Sequence, residues 1–293
     1  MKKDKYEEIT QNVVESLEAI AKGEMEKPSW IRPWSSIGAP RNAFNNRPYR
    51  GMNAWILSLK MGQMGWDDAR FATYNAIKKA GGQVKKGEKS TMVVLWKFLK
   101  KTDKDTGEEK TIPFLRSFNV FNVKDQSEGI ELKAVKEPNK DERDAKLEEI
   151  FSDLNAEIKT DHRAAYYPLS DHIGMPSFKS FKSAPDYYAV LSHELAHWTG
   201  HSSRLDRELI GRFGNESYAM EELIAELTSS FVCQELGIDG MTNKDSLAYL
   251  HSWIKVLKND SRAIFTASSK ARHAVKYLIG KHIETQQEED MTL

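Results

Sequence analysis

The stretch His193-Glu194-Leu195-Ala196-His197 constrains this chain more than any other. It lies in a segment, Asp186 to Thr199, that is patterned as a helix, and Gly200 follows as the expected stop. Residues four apart share one face of a helix, so the two imidazoles can bind one zinc ion. Glu194 lies beside them, where it can take a proton from a metal-bound water. The motif therefore predicts His193 and His197 as metal ligands and Glu194 as the catalytic base.

A catalytic zinc needs a third protein ligand, and the histidines that follow the motif are weak candidates for it. The extended form of the motif would place a histidine at position 203, where this chain has Ser203. His201 remains an alternative, although Gly200 is expected to break the helix before it.

A carboxylate on the following helix is the third route to a ligand. The segment from Tyr218 to Leu236 has a helical pattern, and Glu222 and Glu226 lie four apart on one face of it. In zinc peptidases with a glutamate ligand, an acid four residues later orients one of the histidines, whose free N–H needs an acceptor. Glu222 is therefore the predicted ligand with Glu226 behind it, and Glu221 is the competitor.

Such a site would carry out metal-assisted hydrolysis, with Glu194 moving the proton from the water to the leaving amine. A tyrosine or histidine usually stabilises the charged oxygen of the intermediate. The candidates are Tyr218, His201 and His172, and the sequence leaves this choice open.

The first half of the chain has a different chemistry. The net charge of the whole chain is zero, but residues 27–125 contain 19 Lys and Arg against 8 Asp and Glu. The Pro-rich loop 27–51 contains no acid and mixes arginines with aromatic residues, among them Trp30, Trp34 and Phe44. Cations for phosphates and rings for unstacked bases are what single-stranded nucleic acid needs. The predicted DNA-binding residues are Arg41, Arg47, Tyr49, Arg50, Lys85, Lys86 and Lys89.

The sequence shows no disulfide pair, signal peptide or membrane span, and these features bear on where the protein is located. The one cysteine, Cys233, has apolar neighbours and cannot form an internal disulfide, which fits a reducing cytosol. The first twenty residues carry several acids, among them Asp4, Glu7, Glu8 and Glu15, and lack the apolar core of a signal peptide. No apolar run approaches the roughly 20 residues of a membrane span. We therefore expect a cytoplasmic protein without membrane contact.

The pattern of elements predicts an α+β protein of two domains. Residues 1–130 are expected to form an α+β DNA-binding domain with a small antiparallel sheet, whose strands include Thr91 to Phe98 and Ile112 to Val123. Residues 131–145 are charged and predict a linker. Residues 146–293 are expected to form a mostly helical metal-binding domain that begins with a helix from Lys146 to Ile158 and continues with short strands before the metal helix.

Two sets of segments together resemble a known family. PWSSIGAPRNAFNNRPYRGMN, FATYNAIKKAGGQVKKGEKS and FNVFNV resemble the N-terminal domain of ArdC-type antirestriction proteins, which also occurs in DNA primases of conjugative plasmids. HELAHWTGHSSRLDR and YAMEELIAE resemble the zincin-like metallopeptidase domain that follows it in that family. The matches cover nearly the whole chain in the family's order.

The resemblance implies a single-stranded-DNA-binding domain followed by a metallopeptidase fold, in a plasmid-encoded protein that protects incoming DNA from restriction during conjugation. It implies one zinc ion, or another divalent metal, on His193, His197 and Glu222. Two alternatives remain. One is an active metallopeptidase that cleaves a host protein, such as a restriction protein, and uses DNA as a localiser. The other is an accessory of conjugation or replication with a structural zinc.

Overall fold

The computed structural model describes residues 4–22, 40–66, 68–102, 109–132, 144–181, 183–207, 209, 216–238 and 249–292. The helices within these residues are α1 (Lys5–Ala21), α2 (Met52–Met64), α3 (Tyr74–Lys79), α4 (Val123–Gln126), α5 (Ala145–Ser152), α6 (Ala184–Thr199), α7 (Glu216–Leu236), α8 (Leu250–Asn259) and α9 (Ala263–Thr292). The strands are β1 (Arg41–Asn42), β2 (Arg70–Thr73), β3 (Gln83–Val84), β4 (Thr91–Thr102), β5 (Glu109–Asn122), β6 (Ser127–Glu128), β7 (Glu157–Thr160), β8 (Ala165–Tyr167) and β9 (His172–Met175). The predicted α+β fold class is confirmed.

The first half is built on a four-stranded sheet in the order β1-β2-β5-β4. The long hairpin of β4 and β5 agrees with the two predicted strands, and β2 pairs antiparallel to β5. The two-residue strand β1 is parallel to β2, so the sheet is antiparallel except at this edge. At the other edge, the Asn53 side chain donates to the Val94 carbonyl (2.6 Å) and accepts from the Val94 N–H (2.8 Å). This amide occupies backbone groups that an edge strand otherwise leaves open.

The second half begins with a short helix and a three-stranded sheet in the order β7-β9-β8. The prediction of one helix from Lys146 to Ile158 is wrong in its second part, because α5 ends at Ser152 and Ile158 lies in β7. Asn155 adopts a positive φ of 52°, a conformation that ends helices, and an apolar spacing of four does not exclude an exposed strand. The short strands predicted before the metal helix are present as β8 and β9.

The helices α6 and α7 lie in the core of the second half and pack directly against each other. Small residues line α7, and Ala225, Thr228 and Ser229 are fully buried. The Ser229 hydroxyl donates to the Ala189 carbonyl of α6 at 2.9 Å. A hydroxyl can reach the backbone of a neighbouring helix only when the two helices lie close together, so the small side chains set the distance between α6 and α7.

The first helix contributes to the core of the second half. Val13 and Leu17 of α1 are buried in a cluster that also contains α8 and α9 side chains. The Tyr6 ring meets the Phe265 ring edge-on, with centroids 4.7 Å apart, and Thr10 donates to the Ser261 carbonyl at 2.6 Å. A fragment that ends near residue 130 would expose this apolar face of α1, so binding experiments call for the full chain.

The long terminal helix α9 packs on α7 and α6. Within the described residues, no helix is both long enough and apolar enough to cross a membrane.

Enlarging Ser229 should separate the two central helices. We expect Ser229→Leu to lower the free energy of unfolding by about 1–3 kcal/mol, since the extra atoms have no room against α6. Ser229→Ala removes the hydrogen bond to the Ala189 carbonyl and a contact with the Cys233 thiol without adding volume, and should cost about 0.5–1.5 kcal/mol. Urea unfolding of both variants measures the difference. A Leu variant as stable as the Ala variant would contradict close packing at this position.

Candidate metal centre

Three side chains from α6 and α7 converge on one point. The Nε2 atoms of His193 and His197 lie 3.3 Å apart on the buried face of α6. The Glu222 carboxylate of α7 faces them, with Oε2 3.7 Å from His193 Nε2 and Oε1 3.6 Å from His197 Nε2. The structure therefore brings together the three residues that the sequence proposes as ligands. Their role as ligands remains a prediction.

The spacing of these atoms fits a bound metal ion. Ligand atoms at about 2.0–2.1 Å from a tetrahedral zinc lie about 3.3–3.4 Å from one another. The two Nε2 atoms and the Glu222 carboxylate oxygens are separated by 3.3–3.7 Å, which is close to this spacing. Two imidazoles and one carboxylate are also a donor set of catalytic zinc sites, which leave a fourth position open.

The charge around the site also calls for a cation. Glu194, Glu221, Glu222 and Glu226 are all buried close to the two histidines. Arg207 pairs with Glu221 at 2.8 Å, and the exposed Arg163 at the cleft interacts electrostatically with Glu194. A cluster of four buried carboxylates also needs protons or a metal ion to compensate its negative charge.

The shifted pKa values reflect this imbalance. Burial of the His197 ring favours its neutral form, but the Glu222 and Glu221 carboxylates outweigh burial and raise its pKa to about 9. The pKa of His193 is also raised, because Glu222 and Glu226 outweigh the burial of that ring. Burial works against the charged form of Glu222, yet the two histidines hold its pKa well below the usual value. In the absence of metal, the carboxylates therefore favour protonation of this histidine pair, and a metal ion would compete with protons for the same nitrogens.

The far nitrogen of each imidazole faces a further carboxylate. Glu226 Oε2 lies 3.5 Å from His193 Nδ1, and Glu221 Oε1 lies 3.3 Å from His197 Nδ1. The two glutamates that compete for the ligand position in the sequence therefore take different places. Glu222 faces the Nε2 atoms, whereas Glu221 faces the outer side of His197, where an acceptor fixes the ring orientation.

Arg207 holds Glu221 in place, and sequence reasoning missed it. Its guanidinium donates to both Glu221 oxygens at 2.8 and 2.9 Å. It also donates to the Ala196 carbonyl at 2.7 Å and to the Thr199 hydroxyl at 2.9 Å, which ties the end of α6 to α7. The intervening Gly200 has an ordinary φ of −77°. A Cβ there would lie 2.6 Å from Leu209 Cδ2 and 3.0 Å from both the Arg207 guanidinium and the His197 carbonyl oxygen, so a larger residue would have to displace the Leu209 side chain and crowd Arg207.

A cleft of about 610 Å³ opens over the three convergent residues, and Glu194 lines it. Tyr218 also lines the cleft, and its hydroxyl lies 3.2 Å from the hydroxyl of Tyr249, a residue that sequence reasoning missed. The other oxyanion candidates lie elsewhere: among the described residues the lining does not include His201 or His172. His201 Nδ1 lies 2.8 Å from Ser203 Oγ, and His172 Nδ1 lies 2.8 Å from Ser170 Oγ.

The predicted DNA-binding residues lie in varied surroundings. Arg47, Lys85, Lys86 and Lys89 are exposed, as is the Phe44 ring at 43%. Lys85 Nζ donates to the Asp125 carbonyl at 2.8 Å. Two arginines are more restrained, since Arg41 is half-buried and Arg50 Nε lies 3.4 Å from Glu235 Oε1.

Tyr49 packs its ring against the core of the first half. Burial raises the pKa of its hydroxyl, although Asn42 works against this. Trp30 and Trp34 lie outside the described residues.

Comparison with known proteins gives the family. Residues 3–121 match a model described as the N-terminal domain of anti-restriction factor ArdC, and residues 145–270 match a zincin-like metallopeptidase. The chain is 38% identical to the crystallised metal-free antirestriction protein ArdC from plasmid R388, with a TM-score of 0.71. That match covers 94% of this chain and 96% of that one. This chain belongs to the ArdC-type antirestriction family.

Three further matches each cover nearly the whole of this chain. The Mn(II)-bound structure of R388 ArdC matches at 37% identity and a TM-score of 0.69, covering 94% of this chain and 97% of that one. The uncharacterized protein y4eC of Sinorhizobium fredii is 34% identical, with 98% of this chain and 95% of that protein covered. DNA primase TraC of Escherichia coli is 34% identical over 95% of this chain, which spans 20% of the primase.

Removing Arg207 should leave the buried Glu221 carboxylate with the His197 imidazole as its remaining charged neighbour. We expect Arg207→Met to lower the free energy of unfolding by about 3–5 kcal/mol, since a buried carboxylate loses two charge-assisted hydrogen bonds and the end of α6 loses its tie to α7. The control Arg163→Met removes an exposed arginine at the cleft and should change stability by less than about 0.5 kcal/mol. Urea unfolding of the metal-free variants at pH 7 measures both. Equal stability of the two would show that Arg207 does not anchor Glu221.

Proposed function

We propose that this chain protects incoming plasmid DNA from restriction during conjugation by binding it as a single strand, and that it holds a divalent metal, zinc in the first place, in a peptidase-like site. The convergence of His193, His197 and Glu222 beneath an open cleft carries the metal part of this proposal. The uneven charge and the exposed basic and aromatic side chains of the first half carry the DNA part.

The proposed ligands are His193, His197 and Glu222. When bound, the metal supplies Lewis acidity and lowers the pKa of its water. Glu194, which lines the cleft, would serve as the general base and then the general acid of such a hydrolysis. Glu226 and Glu221 orient the imidazoles from outside, and Arg207 keeps Glu221 ionised and fixed.

Tyr218 is the proposed donor to the charged oxygen of the intermediate. Burial, the Tyr249 hydroxyl and the Glu222 charge together hold its pKa well above the usual value. The hydroxyl therefore keeps its proton at neutral pH and can donate a hydrogen bond in the cleft. Tyr249 sets the direction of that hydroxyl from the start of α8.

Single strands are the proposed DNA form because the first half offers aromatic side chains as well as charge. Duplex DNA can be held by its phosphates alone, whereas unpaired bases gain from stacking on rings. Phe44 is exposed in the same turn as Arg47, and Lys85, Lys86 and Lys89 extend from a second turn.

The ligand assignment can be tested by metal content. We expect Glu222→Gln to lose the metal, because an amide is a poor ligand for zinc, and Glu226→Gln to weaken metal binding by about 10- to 100-fold. The control Glu216→Gln, an exposed carboxylate on the same helix, should bind like the wild type. Titration with zinc and with Mn(II) after chelator treatment measures the affinity. A Glu222 variant with wild-type affinity would remove this residue from the ligand set.

The DNA-binding role can be tested by protection. We expect the triple variant Lys85→Gln, Lys86→Gln, Lys89→Gln to bind labelled oligo(dT) more weakly, with a salt slope reduced by up to about 2. It should also lose protection of conjugated DNA against a restriction enzyme of the recipient. The control Lys255→Gln, an exposed lysine of the second half, should retain both.

Glu194→Gln separates the proposal from the second candidate, an active metallopeptidase that cleaves a host protein. The buried base beside an open cleft favours that candidate. Under our proposal the Glu194 variant keeps metal, DNA binding and protection. If it keeps metal and DNA binding but loses protection, the second candidate is correct and DNA serves to localise the enzyme.

A further inference from the structure

A second pocket, of about 250 Å³, lies where the two halves of the chain meet. From the first half it is lined by Arg50, Gly51, Met52 and Asn53 at the start of α2, and by Val94 of β4. From the second half it is lined by Phe231 and Glu235 of α7 and by Phe265, Ser268, Arg272 and Val275 of α9. We call this the junction pocket. It is separate from the metal cleft, with which it shares no lining residue among those described.

Defined contacts build the wall of the junction pocket. Gln234 of α7 donates to the Tyr49 carbonyl, which fixes the chain just before the pocket. Asn53 binds both backbone groups of Val94, which fixes the first turn of α2 against β4. Gly51 between them has a positive φ of 56°, where a side chain would be strained. The pocket is therefore held by hydrogen bonds from both halves.

Three features of the junction pocket favour an anion. The 13-residue helix α2 starts at the pocket with no side-chain cap and no acid in its first turn, so no described side chain of its own first turn offsets its partial positive charge. Arg50 lines the pocket with 54% of its side chain exposed. Arg272 is exposed on α9 and leans over the same turn, since a Cβ built on Gly51 would lie 4.0 Å from Arg272 Cδ.

A hydroxyl in the wall of the pocket supports a ligand independently of these charges. Ser268 lines the junction pocket and is only 5% exposed. Its hydroxyl has no hydrogen-bond partner among the described protein groups and is not one of the sealed, unsatisfied atoms of the core, so it is available to a group that enters the pocket. A ligand oxygen in the pocket would supply a partner.

Glu235 opposes an anion in the same pocket. Its carboxylate pairs with Arg50, and only 17% of the side chain is exposed. Burial raises the pKa of this carboxyl, and Arg50 only partly counters that effect. Two guanidiniums against one carboxylate still leave the pocket positive. An incoming anion would compete with Glu235 for Arg50 and take Arg272 as a second partner.

We propose that the junction pocket binds a backbone phosphate of single-stranded DNA, with Arg50, Arg272, Ser268 and the start of α2 as its partners. This inference rests on the proposed DNA binding and extends it, because Arg272 and Ser268 belong to the second half. The strand then crosses from the basic turns of the first half onto α9. Phe231, Met52 and Val94 give the pocket an apolar wall beside the phosphate, which suits the base or sugar of one unpaired nucleotide better than a duplex.

Two substitutions with opposite expected effects test this assignment in the full-length protein. Binding of labelled oligo(dT) is measured by fluorescence anisotropy over a series of salt concentrations. We expect Arg272→Gln to weaken binding by up to about five-fold and to reduce the salt slope by about 0.7, the value for one phosphate contact on a single strand. We expect Glu235→Gln to tighten binding, because the competitor for Arg50 loses its charge.

The matched control is Lys270→Gln, which removes an exposed charge of the same sign from the same helix, away from the pocket. Weaker binding by Arg272→Gln could also result from misfolding. Tighter binding by Glu235→Gln could not, so that variant tests the pocket independently of any folding defect. If the wild type binds and Arg272→Gln behaves like Lys270→Gln, the junction pocket is not a phosphate site, although the proposed function stands. If the wild type binds no single-stranded DNA, both proposals fail.

Discussion

The close packing of α6 against α7 is the contact on which the rest of the structure depends. Small buried residues on α7 and the hydrogen bond from Ser229 to the α6 backbone bring the helices near enough for the Glu222 carboxylate to meet both imidazoles. The same contact places Glu226 and Glu221 behind the rings. Larger residues at this interface would widen the gap, and three polar groups that now converge would become separate buried side chains with no common partner.

Bringing these carboxylates together buries negative charge, and Arg207 compensates part of it. Four buried glutamates surround two histidines, and Arg207 is fixed to one of them by two hydrogen bonds. The guanidinium also binds the last turn of α6, so the positive charge that compensates Glu221 and the turn that ends the metal helix are one structural unit. The remaining negative charge makes the site a place for a cation, and the metal-free and Mn(II)-bound crystal structures of R388 ArdC are both similar to this fold.

The parts of the site that could be predicted from sequence are those set by local spacing. Residues four apart on a helix must share a face, so His193 and His197, and Glu222 and Glu226, were identifiable as pairs. Arg207 and Tyr249 were not, because their roles depend on how distant segments fold back on the cleft. Local spacing also misplaced Ile158 in the preceding helix. Its spacing suits α5, but the chain turns at Asn155 and Ile158 lies in the strand β7. The two-residue strand β1 exists only through its pairing with β2 and has no pattern of its own.

We propose that a metal ion compensates the buried carboxylates and is held by two imidazoles and one glutamate. X-ray absorption spectroscopy at the metal edge of the zinc-loaded full-length protein tests this most directly. The account predicts the scattering signature of two imidazole rings with nitrogen at about 2.0–2.1 Å, together with oxygen ligands at about 2.0–2.2 Å. A spectrum with oxygen ligands and no imidazole scattering would contradict it, because the metal would then lie outside the pair formed by His193 and His197.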